Sequence, residues 1–161
     1  RGSGLGGDLL SDEVSPVRKP VVGVYAPDLI RQCAEIMDKG AVRYKKTGGV
    51  HCSTLFRSTN PIFLYEDIGR HNTLDKIRGA CLLHGIDTDD TMLLTTGRIS
   101  SDMIRKSAKM GVSLIGSYST PTQRAYEIAK KVNITVVGHI RKQSMCIYTA
   151  FERTGDELLP W

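Results

Sequence analysis

The residues with the clearest chemical potential lie in the stretch 66–76, which reads EDIGRHNTLDK. Arg70 offers a planar fork that suits phosphate or carboxylate groups, and Gly69 lets the backbone approach a ligand closely. We therefore assign Gly69 and Arg70 to binding. Asp67 and His71 are our catalytic candidates in the same turn.

The neighbouring elements place this stretch where a strand meets a helix. The apolar run 61–65 is short enough for a buried strand, and apolar residues at helical spacing follow from Leu74. In open α/β sheets ligands bind at such a junction, because the free N–H groups of helix N-termini converge there. The alternative is a plain helix start in which Asp67 or Asn72 caps free N–H groups. Arg70 would then pair with Glu66.

The same succession of strand, polar residues and helix recurs three times, at Glu66, Gly97 and Ser117. This alternation predicts a doubly wound α/β sheet with helices on both faces. Gly97, Arg98 and Ser100 follow the second of these strands, and we assign them to binding as well. The predicted strands are 21–25, 61–65, 91–96, 112–120, 134–137 and 145–149, and the predicted helices are 27–40, 74–85, 103–110 and 121–132.

His51 is a further candidate, in a segment with two glycines before it. A helix beginning at Thr47 or Gly48 would carry His51 and Leu55 on one side and could place bare N–H groups against an anion. His51 would act there as an acid–base group or as a donor to a ligand. The alternative is a capped helix with a satisfied histidine.

Composition sets outer limits on the function. The 161 residues suffice for one domain with a real core, and 40% hydrophobic and 24% charged residues are ordinary for a soluble protein. No apolar run approaches a membrane span, and no signal-peptide pattern opens the chain. Four cysteines without CxxC spacing predict reduced thiols in the cytosol. The net charge of +5 favours an anionic partner, although a solubilising surface explains it equally well.

Missing motifs exclude several classes of protein. Zinc deaminases need His-x-Glu and Pro-Cys-x-x-Cys, whereas His51 is followed by Cys52 and Ser53. No GxGxxG in a βαβ unit, GxxxxGK[ST] or GxSxG occurs, so dinucleotide, P-loop and serine-hydrolase sites are unsupported. No closed set of Cys and His ligands is spaced for a metal, and no Lys/Arg block indicates nucleic-acid binding. What remains is a pocket of Gly, Arg, His and hydroxyl groups that suits a phosphorylated ligand.

These motifs resemble the FdhD/NarQ family of formate dehydrogenase accessory proteins. The resemblance is carried by segments 47–51, 66–76, 96–100, 101–107 and 137–149, and it runs over most of residues 20–150. It identifies the chain as the C-terminal domain of such a protein, with the family's N-terminal domain absent. The start without a methionine likewise indicates a fragment or a processed chain. We divide the sequence into a glycine-rich linker at 1–20 and a cofactor-binding domain at 21–161.

The resemblance implies a three-layer α/β/α sheet of the cytidine-deaminase type without its zinc. It implies a cytoplasmic sulfur carrier, a sulfurtransferase, that works with a cysteine desulfurase and formate dehydrogenase. Sulfur would pass as a persulfide to the molybdenum bis(molybdopterin guanine dinucleotide) cofactor, which is bound as a substrate. A homodimer is expected, with no membrane or nucleic-acid partner.

One segment resembles the part of the family that is assigned to cofactor binding. It comprises His139, Ile140, Arg141, Lys142, Gln143 and Ser144. Arg141 and Lys142 add positive charge, and Gln143 offers both a donor and an acceptor for the edge of a base. The alternative is an ordinary basic hairpin loop.

One departure from the family bears on the carrier step. The family's sulfur-carrying segment resembles Gly-Cys-Gly-x-Cys-Gly, whereas Ser3 and Gly6 occupy the cysteine positions here. Serine cannot hold a persulfide. Cys52, beside His51, is then the thiol with an obvious activating neighbour, although a buried structural cysteine is the commoner case. The alternative function is a cofactor-binding chaperone or insertase with no covalent sulfur transfer.

Overall fold

Two helices lead the chain into a central sheet. The computed structural model describes residues 15–17 and 24–155. Helix α1 (Pro27–Gly40) begins with a proline, which lacks the N–H that would be unpaired in the first turn. Helix α2 (Val42–Thr47) ends at Gly48, whose φ of 62° favours a residue without a Cβ.

The remaining elements alternate between strands and helices. They are β1 (His51–Arg57), β2 (Asn60–Asp67), α3 (Arg70–His84), β3 (Met92–Thr95), α4 (Ser101–Met110), β4 (Leu114–Ser117), α5 (Gln123–Val132), β5 (Thr135–Gly138) and β6 (Cys146–Thr149), with a 3₁₀ turn at Phe151–Thr154. The strands pair in the order β2-β1-β3-β4-β5-β6. Strands β3, β4 and β5 are parallel, whereas β1 and β6 run against their neighbours. The sheet is therefore mixed.

Two apolar cores lie on opposite faces of this sheet. On one face Leu55, Leu93, Ile115 and Val136 pack with buried residues of α3, α4 and α5. On the other face Phe56, Met92, Leu94, Leu114 and Val137 pack with Ile30, Cys33 and Met37 of α1. Both sets alternate along the strands, because successive side chains of a strand point to opposite faces. The α/β class with helices on both sides of a sheet is confirmed.

The predicted helix from Thr47 or Gly48 is wrong, because His51 and Leu55 lie on β1. Strand β1 sits between β2 and β3, so residues 52–56 are all buried. A continuously buried run lacks the alternation that marks a strand, and periodicity alone does not separate it from a buried helix.

The ends of the other predicted elements differ less from those in the structure. The strand predicted at 112–120 covers only Leu114–Ser117. The strand predicted at 21–25 and the linker predicted at 1–20 fall largely outside the described residues. Within the described part, the N–H of Val17 donates to the carbonyl of Val132 at 2.8 Å, which ties this segment to the end of α5.

Candidate functional site

One edge of the sheet collects most of the predicted site residues. Strands β2, β3, β4 and β5 end at this edge. Strand β1, which is antiparallel to β2 and β3, begins there. His51 therefore pairs with Asp67, and Ser53 pairs with Thr95 close to Gly97. The ends of parallel strands are the usual place for ligands in such sheets.

Five of the predicted residues meet at the start of α3 and α4, and we call them the central cluster: His51, Arg70, His71, Gly97 and Ser100. A Cβ on Gly97 would lie 3.0 Å from the Cβ of Arg70 and 3.1 Å from the Nδ1 of His51. Only a glycine leaves room for this close packing. The next residue of α3 is His71, whose Nε2 lies 3.4 Å from the Oγ of Ser100.

Burial and the charge of Arg70 both act on the two histidines of the central cluster. Partial burial lowers the pKa of His51 and of His71, and the charge of Arg70 lowers both further. Both imidazoles are thus kept neutral at pH 7, where each offers one donor and one acceptor. The Nε of Arg70 is buried and has no hydrogen-bond partner among the described residues. The cluster can therefore offer a single positive charge and several neutral polar groups to a ligand.

Asp67 organises the turn that leads into α3. Its Oδ1 accepts from the Gly69 N–H and from the Asn72 Nδ2, both at 2.9 Å, and its Oδ2 lies 2.5 Å from the Lys76 Nζ. Lys76 and these donors hold the pKa of the Asp67 carboxyl well below its usual range. This much agrees with the structural alternative, in which Asp67 satisfies free N–H groups. Its catalytic role stays a prediction.

Glu66 takes no part in the central cluster. Its carboxylate accepts from the N–H groups of Arg43 and Tyr44, at 3.1 and 2.7 Å, and so caps α2. In the alternative of a plain helix start, Glu66 would pair with Arg70. In the fold, Glu66 binds α2 instead. Neighbouring strand residues face opposite ways, so Glu66 and Asp67 serve different sides of the sheet.

Cys52 is separated from the histidine that precedes it. Cys52 belongs to the core beneath α1, while His51 contacts Gly97 and lies 3.3 Å from the Thr96 Oγ1. The thiol is fully buried, and this burial raises its pKa to about 12. A thiol in this state is a poor nucleophile. Of the free cysteines, Cys146 at the start of β6 is exposed, whereas Cys33 and Cys81 are buried like Cys52.

A second group of predicted residues lines a cavity of about 660 Å³ under α1, which we call the α1 cavity. Its walls are Arg31, Ala34, Glu35, Asp38, Lys39, Tyr44, Tyr118, Ile140, Arg141 and Lys142. The Nη1 of Arg141 donates to the carbonyls of Tyr118 and Ile140, at 2.7 and 2.8 Å. The guanidinium is thereby held against two of the other residues that line the cavity.

The predicted residues thus fall into two groups. Neither Arg98 nor Ser100 lines the α1 cavity, and Arg98 is exposed between β3 and α4. His139, Gln143 and Ser144 are exposed residues that flank the cavity-lining part of their segment, and His139 has a φ of 51°.

Sequence reasoning missed the walls that α1 and two tyrosines contribute. The charged residues of α1 recur at helical spacing, at 31, 35, 38 and 39, and this stripe was a signal for one wall. Tyr118 directly follows β4, where a polar strand end was already recognised. Tyr44 lies on the short helix α2, and no pattern marked it.

Two features are absent from the described residues. Across residues 15–17 and 24–155, no three His, Cys, Asp or Glu side chains are grouped so that they could hold a metal ion. Within the same ranges, no helix has the length and apolar character required to cross a bilayer.

Fold and site together define an α/β protein with cationic side chains at one edge of its sheet and no zinc-deaminase motif. The family model described as the FdhD/NarQ family matches residues 2–155, and the chain belongs to this family. The chain is 40% identical over 131 residues to the sulfur carrier protein FdhD of Bacillus subtilis, which covers 81% of this chain and 50% of that protein. It is 47% identical over 135 residues to the protein of the same name from Bacillus pumilus, covering 84% and 51%.

A solved structure supports the fold. The chain resembles a crystal structure described as a formate dehydrogenase accessory protein from Desulfotalea psychrophila, with a TM-score of 0.79 and 28% identity. The match covers 88% of this chain and 60% of that one. The chain spans about half the length of the curated relatives it matches.

Proposed function

We propose that this chain is the cofactor-binding part of a formate dehydrogenase accessory protein, which serves sulfur delivery to a molybdenum cofactor. The names of its relatives, sulfur carrier protein FdhD, support this function. The cofactor, molybdenum bis(molybdopterin guanine dinucleotide), is its substrate. A cysteine desulfurase supplies the sulfur, formate dehydrogenase receives the product, and the protein works in the cytoplasm as a homodimer.

The observation that carries the proposal is the charge of the α1 cavity. Its walls contain four cations, from Arg31, Lys39, Arg141 and Lys142, against two carboxylates, from Glu35 and Asp38. Two of these six charged residues have partners that do not line the cavity. Arg31 pairs with Asp28, and Asp38 pairs with Lys45. The Nη1 of Arg141 donates to two carbonyl groups, and no carboxylate among the described residues pairs with its charge.

The size and the other walls of the cavity suit a nucleotide. A volume of about 660 Å³ lies within the usual range for small-molecule pockets. Tyr44 and Tyr118 supply aromatic surface for a base, and the cations supply partners for phosphate. Gln143, next to the cavity, offers a donor and an acceptor for a guanine edge.

In the proposed function, the central cluster binds a second part of the same cofactor. Arg70 lies at the same edge of the sheet and has a buried Nε without a partner among the described residues. A cofactor with two guanylyl ends carries several phosphate groups, so one of them would meet Arg70. His51, Gly97 and Ser100 add neutral polar groups, and His71 and Asp67 stand as the catalytic candidates beside it.

A second candidate function is a chaperone or insertase for the cofactor, without covalent sulfur transfer. The burial of Cys33, Cys52 and Cys81 favours it. Ser3 and Gly6, which stand where the family has cysteines, lie outside the described residues. Incubation with a desulfurase and cysteine, followed by a persulfide-specific label, separates the two functions. A labelled thiol supports transfer, and an unlabelled protein that still binds the cofactor supports the chaperone.

Calorimetry tests the nucleotide site. GDP is expected to bind more tightly than ADP, and its affinity should fall with salt as phosphate contacts are screened. In the double variant R141Q/K142Q the Kd for GDP should rise about tenfold or more, since charge-assisted phosphate contacts are lost.

The control is R124Q/K131Q, which removes the same charge from exposed residues of α5. This variant should bind GDP as the unmodified chain does at moderate salt. Equal affinity for GDP and ADP, or undiminished binding in R141Q/K142Q, would contradict the assignment.

A further inference from the structure

A chain of three hydroxyl groups runs beneath the central cluster. The Oγ of Ser53 lies 2.7 Å from the Oγ1 of Thr73 and 2.9 Å from the Oγ1 of Thr95. These three side chains are fully buried. They belong to β1, α3 and β3, so the chain joins two strands to the first turn of a helix.

Each end of the hydroxyl chain meets a backbone carbonyl. The Oγ1 of Thr73 donates to the carbonyl of Arg70 at 2.7 Å, and the Oγ1 of Thr95 lies 3.3 Å from the carbonyl of Cys52. Three hydroxyl protons serve four contacts, so one contact always lacks a hydrogen. The Oγ of Ser53 donates to Thr95, and Thr95 donates to the Cys52 carbonyl. The Thr73 hydroxyl therefore divides its one proton between the Ser53 Oγ and the Arg70 carbonyl.

The same groups hold the turn that follows β3. The Gly97 N–H donates to the Thr95 Oγ1 at 3.4 Å, and the Gly97 carbonyl accepts from the Ser117 Oγ at 2.6 Å. Arg70 is packed against this turn, since a Cβ on Gly97 would lie 3.0 Å from its Cβ and 3.1 Å from its Cδ. A shift of the turn or of the first residue of α3 therefore moves the Arg70 side chain.

Buried hydroxyls need partners, whereas valine fills the volume of threonine without that requirement. The hydroxyls of Thr73 and Thr95 link elements that apolar packing alone would leave free to slide. We propose that Ser53, Thr73 and Thr95 are positioning residues that fix Arg70 and the Gly97 turn against each other, so that the guanidinium faces an anionic ligand. The anionic ligand rests on the proposed function, and the positioning does not.

Histidine titration by NMR measures the position of Arg70 without any ligand. The charge of Arg70 contributes to the lowered pKa of both His51 and His71. In T73V the guanidinium should move away, and both histidine pKa values should rise. T73S keeps the hydroxyl and should restore the titration of the unmodified chain.

Pyrophosphate binding gives the second measurement. Its Kd, followed through the histidine signals, should rise about tenfold in T73V and recover in T73S. S53A, which removes the middle hydroxyl, should behave like T73V and serves in its place should T73V fail to fold. T54V is the control, because Thr54 is a fully buried threonine of β1 on the opposite face from Ser53.

Unchanged histidine pKa values in both T73V and S53A, with only a lower Tm, would overturn the proposal and leave the hydroxyls a purely structural role. The same holds if T54V shifts the histidines as much as T73V. If the unmodified chain binds neither pyrophosphate nor GDP, the proposed function fails, while the histidine titrations still decide the positioning.

Discussion

At the scale of single residues, Asp67 makes stability depend on pH. Lys76, the Gly69 N–H and Asn72 all favour its charged form, so its pKa is lower in the folded chain than in the unfolded chain. A carboxylate of this kind stabilises the fold above its unfolded pKa, and the stabilisation is lost as the pH falls through the folded value.

We therefore expect the Tm of the unmodified chain to fall more steeply than that of D67N as the pH is lowered from about 5 to about 2, because the unfolded carboxyl titrates near pH 4 and the folded one well below it. Calorimetry measures both profiles. D75N is the matched control, since Asp75 pairs with Lys106 on the exposed side of α3. H71A should leave the Tm at pH 7 nearly unchanged. Parallel pH profiles for D67N and the unmodified chain would show that the turn does not depend on the charge of Asp67.

The cysteines give a second prediction at this scale. Cys146 is exposed, and burial raises the pKa of the Cys33 and Cys52 thiols to about 12. Native protein should therefore react with a thiol reagent at Cys146 alone, and C146S should not react until it is denatured. Peptide mass spectrometry locates the modified residue. Rapid native modification of Cys52 would show that its pocket opens, and it would restore Cys52 as a candidate sulfur carrier.

At the scale of elements, two glycines should respond to alanine in opposite directions. A Cβ on Gly138, at the end of β5, would lie 2.9 Å from the backbone carbonyl oxygen of Ser119, which has little freedom to move. G138A should lower the free energy of unfolding by about 1–3 kcal/mol, as overpacking does. It should also disturb the segment that leads to Arg141.

Gly79 is the matched control, because it lies within α3 and nothing stands within 4 Å of the position its Cβ would take. G79A should raise the free energy of unfolding by about 0.5–1 kcal/mol, the usual difference between glycine and alanine in a helix. Urea denaturation measures both variants. A neutral G138A would mean that the end of β5 yields easily, and the segment 139–144 would then be less fixed than its contacts indicate.

Elements with a clear period or clear end signals could be predicted from the sequence. Helix α1 has Pro27 at its start and a regular apolar face, and α4 ends at Gly111, whose φ of 82° explains the choice of residue. Strand β1 could not be predicted, because its burial on both faces removes the alternation. The position of β1 in the middle of the sheet depends on β3, which is far away in sequence.

The site was predicted in part for a related reason. Residues 66–76 and 97–100 carry chemistry at strand ends, and local pattern is enough to recognise that. Which of them meet depends on the order of the strands and on the face that each side chain takes. Hence Arg70 and Gly97 come together, while Cys52 turns away from His51 and Arg141 faces α1.

At the scale of the whole molecule, the two groups of site residues lie on opposite faces of one sheet and share one edge. The central cluster is formed with α3 and α4, and the α1 cavity is formed with α1 and α2. A ligand that meets both must cross the ends of β3, β4 and β5. In the proposed function the two similar ends of the cofactor would each occupy one group, and a net charge of +5 favours the approach of such an anion.

The tight turn between β1 and β2 lies at the other end of the sheet. Arg57 pairs with Asn60, and Ser58, with a φ of 53°, is exposed between them. Because the hairpin reverses direction there, this turn points away from the edge that carries His51 and Asp67. A chain immobilised through a tag or dye inserted at Ser58 would therefore present the edge that carries the central cluster, unobstructed, to the solution.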